Sequence, residues 1–161
     1  MPQRSESLKM LDSEEGQLNA VFACFGFAAQ YAQLFEAGLV RFLIVYNKIS
    51  AESLTLEDFE TIESNLQKRT MGQLIRELSR YVNFQDLALA GHFDDALQKR
   101  NFLMHRFFLA RNKDLESEES RMGLLAELLT IQRELEKAGV LINAMRIAMC
   151  ETLGFEENES K

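Results

Sequence analysis

Arg100, Asn101 and His105 are the residues of this 161-residue chain best suited to chemistry. They sit in the run Leu97-Gln98-Lys99-Arg100-Asn101-Phe102-Leu103-Met104-His105-Arg106-Phe107-Phe108. Helical spacing stacks Asn101 and His105 on one face, because positions four apart are neighbours. Arg100 lies about 140° away on a straight helix, so the length of its side chain, a bend or a partner subunit has to close the gap. Lys99, Arg100, Arg106, Arg111 and Lys113 supply five basic residues with no acid between them, in a chain of net charge -7. Such a local reversal of sign suits a phosphodiester. An arginine offers a planar fork of donors to phosphate oxygens. A histidine moves a proton on and off a hydroxyl. Asn101 is suited to orienting the imidazole or binding phosphate. No metal is needed where the nucleophile is the 2'-hydroxyl of RNA, and in-line transfer then leaves a cyclic phosphate and a free 5'-hydroxyl.

Arg100-Asn101, three residues, then His105 resembles the Arg-polar-x(3–5)-His motif of HEPN domains, small all-α bundles common among bacterial toxins and defence ribonucleases. The literal match spans six residues; the helical character extends it loosely over most of the chain. The resemblance implies that Arg100 and His105 are the catalytic pair and Asn101 the supporting polar residue. It also implies that the motif helix faces a symmetry-related subunit, so that two copies build one cleft. Some members paired with nucleotidyltransferases carry a tyrosine two residues after the histidine. Phe107 occupies that position here, so regulation through a modified tyrosine is not expected. Lys99, Arg106, Arg111 and Lys113 become candidate RNA-binding residues, with Lys68, Arg69, Arg76 and Arg80 as a second basic group that is either a solvated face or an extension of the track. A structural alternative stands beside this. His105, among Phe102, Met104, Phe107 and Phe108, would also fit a core histidine bonded to a carbonyl. Arg100 would then pair with Asp94, Asp95 or Glu77.

Long helices must position these residues. The one proline is Pro2, so nothing from Gln3 to Lys161 carries the residue that breaks helices most strongly. Gly16 to Lys48 is apolar almost all round, which marks a central helix or one partly covered by another subunit. Gly26 and Gly38 within it would permit close packing or a kink, while Tyr31 and Tyr46 read as core or interface. Thr55 with Glu57 and Asp58 reads as a helix start, followed by a stripe of Phe59, Ile62 and Leu66. Thr70-Met71-Gly72-Gln73 is a capping box that opens a helix with Leu74, Ile75, Leu78 and Val82 inward. Asn83 to Phe93, with Gly91 and His92, reads as a turn with a short helical piece. The motif helix then runs from Asp94 to about Ala110 or Arg111. After a polar connection over Asn112 to Ser120, the last helix runs to Leu153. Its seam of Leu124, Leu128, Ile131, Leu135, Ala138, Ile142, Met145 and Met149 alternates steps of four and three. That seam fits packing within a bundle, or a self-associating coiled coil. Leu125, Leu129, Leu141 and Ile147 widen it and favour the bundle.

Composition removes several classes. With two histidines, His92 and His105, and no HExxH or cysteine cluster, a three-histidine zinc site is impossible and no metal or cofactor is expected. Cys24 and Cys150 lack CxxC spacing and read as buried free thiols in a reducing, cytoplasmic compartment. No secretory signal is read at the start. The apolar stretch from Leu18 to Tyr46 contains Asn19, Gln30, Gln33, Glu36 and Arg41, so a core helix is expected there rather than a membrane span.

The sequence therefore predicts an all-α, up-and-down bundle of four or five helices with long first and last helices. Residues 1–15 are expected to be a flexible lead-in, 16–155 the single domain and 156–161 an acidic disordered tail. The apolar surface predicts a homodimer. The expected function is a HEPN-like, metal-independent endoribonuclease, a toxin or defence component with RNA as substrate. The alternative is a non-catalytic helical dimer acting as a regulatory or antitoxin-like module with a cognate protein partner.

Overall fold

The structure, a computed structural model, describes residues 13–50, 55–82 and 87–152. Six α-helices and one 3-10 turn make up the described residues, with no strand among them. The long helix α1 spans Glu14–Ser50. It starts two residues earlier than expected because Ser13 Oγ accepts the Gly16 amide at 3.1 Å, answering one of the free N–H groups of the first turn. Helix α2 (Leu56–Gln67) and helix α3 (Met71–Tyr81) each open on a complete capping box, Thr55 with Asp58 and Thr70 with Gln73. Leu66 faces inward from α2, and Met71, Leu74, Ile75 and Leu78 from α3.

Helix α4 spans Leu87–His105. Gly91 and His92 are helical, not part of a turn. Phe93 and Ala96 are fully buried, and Phe93 stacks on Phe35 of α1 with ring centroids 5.8 Å apart. Burial of that ring outweighs the roughly 1 kcal/mol that a glycine costs a helix. His92 Nε2 lies 3.0 Å from Lys137 Nζ. The motif helix does not continue to Arg111. It stops at His105, Arg106 takes φ -135° and ψ -18°, and a short helix α5 resumes over Phe107–Arg111. This break raises the helix number to six. Beyond it Phe107 and Phe108 join Phe25 and Phe22 of α1 in an aromatic cluster, with Phe25–Phe108 centroids 4.7 Å apart. The 3-10 turn covers Asn112–Leu115, and the last helix, α6, spans Glu118–Thr152.

The core is a three-helix arrangement of α1, α4 and α6. Leu124, Leu128, Ile131, Leu135, Ala138 and Ile142 of the heptad seam are buried and face α1, not a second copy of themselves. Arg121 bonds Gln17 and Tyr31 meets Glu136, pairs separated by 104 and 105 residues. A near-constant offset means that α1 and α6 run parallel. His92 meets Lys137 while Lys99 and Phe102 share a groove with Glu127 and Thr130, so α4 runs antiparallel to α6 and hence to α1. The α2–α3 pair packs on the second half of α1, where Tyr46 and Tyr81 stack with centroids 4.1 Å apart. Gly38 is where α1 and α6 approach most tightly among the glycines, since a Cβ there would lie 2.8 Å from Ile142 Cγ2. Both cysteines are free, Cys150 buried and Cys24 half-buried, and burial pushes the Cys24 thiol up from its ordinary value. Helix α1 is long and apolar enough in composition to cross a bilayer. Its Val21, Ala28, Ala32, Phe35, Leu39 and Leu43 are buried against the other helices.

Candidate functional site

The C-terminal half of α4 and the start of α3 form the two walls of an open cleft of about 740 Å³. Thr70, Met71 and Gly72 line one wall; Leu97, Gln98, Arg100, Asn101, Phe102, His105 and Arg106 line the other. The walls meet where Gly72 packs beside Leu97; a Cβ on Gly72 would sit 3.6 Å from Leu97 Cδ2. None of the lining residues carries a carboxylate, so the charge offered to a ligand is positive.

Three of the sequence candidates converge here. Arg100 Nη1 donates to Asn101 Oδ1 at 3.2 Å and lies 3.5 Å from His105 Nε2. The reach of the arginine therefore closes the 140° that separates positions 100 and 105 on the helix. A guanidinium has only donors, so the ring nitrogen facing it is the acceptor, and a neutral His105 carries its proton on Nδ1. His105 is exposed at the end of its helix, not enclosed by the neighbouring rings. Those rings divide: Phe107 is buried, Phe102 and Phe108 are half-buried, and Met104 is exposed. The break at Arg106 ends the helix directly after the histidine and leaves both His105 and Arg106 on the cleft.

Arg100 is paired, but not with Asp94, Asp95 or Glu77. Its Nη2 lies 3.5 Å from Glu36 Oε2 of α1, and both side chains are partly covered, 23% and 32% exposed. Glu77 pairs with Arg69 instead. Glu36 lines the adjoining groove between α1, α2 and α3, so it backs the arginine from behind and leaves the cleft itself free of carboxylate. Sequence reasoning noted Glu36 as a polar residue in an apolar helix without linking it to Arg100. It also missed the wall made by Thr70 to Gly72. The capping box was the available signal for a helix end at that point, but nothing local says which helix it would face.

The remaining basic candidates scatter. Arg106 lines the cleft. Lys99 lines a different groove of about 540 Å³ between α4 and α6, with Glu127 and Thr130. Arg111 is held by a two-pronged bond to Glu127, Nε to Oε2 and Nη2 to Oε1 both at 2.9 Å, and its guanidinium carbon lies 5.7 Å from the Phe102 ring centroid. The Glu127 hydrogen bonds and charge push the Arg111 pKa up from its ordinary value, and the residue fastens α5 to α6. Lys113 is exposed on the 3-10 turn and does not line the cleft. Among the described residues no group of three histidine, cysteine, aspartate or glutamate side chains is placed to hold a metal ion.

A scan against protein-family models and searches of the curated proteins and of the solved structures found no match for the chain. A functional reading therefore rests on the residues and geometry of this cleft.

Proposed function

We propose that this chain is a HEPN-like, metal-independent endoribonuclease, a cytoplasmic toxin or defence component that works as a homodimer without a membrane partner. One observation carries the reading: Arg100, Asn101 and an exposed His105 converge on a single open cleft whose lining holds no carboxylate. Arg100 would hold the non-bridging oxygens of the scissile phosphate through its remaining donors. Once the 2'-hydroxyl displaces the 3.5 Å Arg100 contact at Nε2 of a neutral His105, that nitrogen would accept the hydroxyl proton as the oxygen bonds to phosphorus. As the bond from phosphorus to the 5'-oxygen breaks, the protonated His105 would give its proton to that oxygen, leaving a cyclic phosphate and a 5'-hydroxyl. By the HEPN resemblance, a second copy would bring its own Arg100 and His105 to the same cleft. The half-exposed Phe22, Phe27 and Leu34 of α1 favour such a dimer.

The test compares the wild type with His105→Ala and Arg100→Ala on a broad set of RNAs with EDTA present. The wild type should give cyclic-phosphate ends, and His105→Ala should cleave at least about 100-fold more slowly. Equal cleavage by wild type and His105→Ala, or none from either, overturns the reading. A second reading then takes over: a non-catalytic helical dimer that acts as a regulatory or antitoxin-like module on a cognate protein. The observation favouring it is that Glu36 already engages Arg100.

A further inference from the structure

We infer that Arg69, Arg76 and Arg80 form a second phosphate-binding subsite, which holds the single-stranded RNA on one side of the scissile bond. The inference rests on the ribonuclease reading and gives its substrate a minimum length.

Gln73, Arg76, Glu77 and Arg80 follow one another at helical spacing on α3. With Arg69 from the preceding turn they line a groove of about 280 Å³. Its single carboxylate is spent internally, because Glu77 pairs with Arg69 and accepts the Tyr81 hydroxyl at 3.4 Å. Arg76 Nε donates to the Gly72 carbonyl at 3.3 Å, which steadies that side chain and leaves its terminal nitrogens available. Among the described residues neither Arg76 nor Arg80 has a carboxylate partner, and both are exposed. Gln73 Oε1 is taken by the Thr70 amide at 2.8 Å, so its amide nitrogen supplies donors to the groove. The groove thus presents donors and uncompensated positive charge in a protein of net charge -7.

Arg76 and Arg80 are also four residues apart on one helix, where like charges repel and weaken it slightly. A bound polyanion removes that repulsion. The location specifies which polyanion. Residues 70–72 wall the cleft of Arg100 and His105, and Arg69 and Gln73 flank those residues and line the groove. Cleft and groove are two sides of one turn. From Gly72 to Arg80 the helix advances about 12 Å. A strand with one phosphate on Arg100 would therefore have later phosphates beside Arg76 and Arg80.

The probe is a fluorescein-labelled oligouridylate of about twelve nucleotides, within the range of single-strand binding sites. It is titrated against full-length His105→Ala protein with and without Arg76→Gln/Arg80→Gln, between about 50 and 200 mM salt. Losing two phosphate contacts should lower the slope of log affinity against log salt by about 1.4, and weaken binding roughly 10–30-fold near 0.1 M salt. Arg76→Lys/Arg80→Lys should keep the slope, since lysine retains the point charge. In otherwise wild-type protein the glutamine pair should leave kcat/KM for a dinucleotide within about twofold, as that substrate cannot reach the groove. Its melting temperature should not fall. An unchanged slope and affinity in the glutamine pair overturns the subsite while leaving the ribonuclease reading intact. Equal loss in the lysine pair overturns it too. If His105→Ala cleaves as fast as the wild type, the ribonuclease reading fails by itself, and the salt slope still decides whether the groove binds RNA.

Discussion

Replacing Gly38 by alanine should destabilise the protein, although the same change elsewhere in its helices should stabilise it. Glycine in a helix interior costs about 1 kcal/mol relative to alanine, so an unobstructed replacement recovers that amount. Gly26 in α1 and Gly123 in α6 have nothing within 4 Å of where a Cβ would stand. At Gly38 the new methyl would lie 2.8 Å from Ile142 Cγ2, and Ile142 is 0% exposed. That Cγ2 belongs to a β-branched side chain with one favoured rotamer in a helix, so it yields only if the α6 backbone moves. Overpacking of this kind costs about 1–3 kcal/mol. Subtracting the propensity gain leaves Gly38→Ala neutral to about 2 kcal/mol destabilised, with Gly123→Ala about 1 kcal/mol above the wild type. In a chain of this size each kcal/mol moves Tm by about 2–4 °C, so the two variants should differ by several degrees. Thermal and urea unfolding followed by circular dichroism measure this. A cycle with Ile142→Ala sharpens it, because that truncation removes the obstructing methyl and should couple favourably with Gly38→Ala by about 0.5–3 kcal/mol. A Gly38→Ala protein as stable as Gly123→Ala, with additive behaviour in the cycle, would refute the close approach of α1 and α6.

Two further outcomes follow from particular contacts. Arg121 is 5% exposed, donating to Gln17 Oε1 and to the Leu115 carbonyl at 2.8 Å each, with Glu14 at 3.5 Å. Arg121→Met removes the donors that satisfy these acceptors and should cost about 3 kcal/mol; a fall in Tm below about 2 °C would reject that account. Asp58 accepts from the Thr55 hydroxyl and amide, and these bonds hold its carboxyl below the ordinary value of 3.8. Its contribution is therefore present above that value and lost as pH falls through the folded-state pKa. The Tm difference between wild type and Asp58→Asn should be positive at neutral pH and shrink in acid; a difference constant down to pH about 2 would contradict it.

What the sequence determined by itself lies within one or two helical turns. Thr55 with Asp58 and Thr70 with Gln73 mark helix starts because a cap acts over three residues. The absence of proline after Pro2 and the seam from Leu124 to Ile142 foretell long helices with one buried face. Gly38 was readable as a site of close packing; Gly26, with the same local signal, meets nothing. The triad of Arg100, Asn101 and His105 was legible because its members share one helix. The tertiary structure decided everything that spans distant positions. Phe93 against Phe35 overrode the turn signal at Gly91. The helix broke at Arg106 with no glycine or proline to mark it, while the rings after it entered the cluster with Phe22 and Phe25. Glu36, not a nearer acid, met Arg100. Thr70 to Gly72 became the far wall of the cleft, and α6 laid its seam parallel to α1 and not on another copy. Caps and periodicity are local interactions that a sequence states directly. Which faces meet depends on how side chains far apart in the chain fill one core, and that depends on packing, which no local pattern encodes.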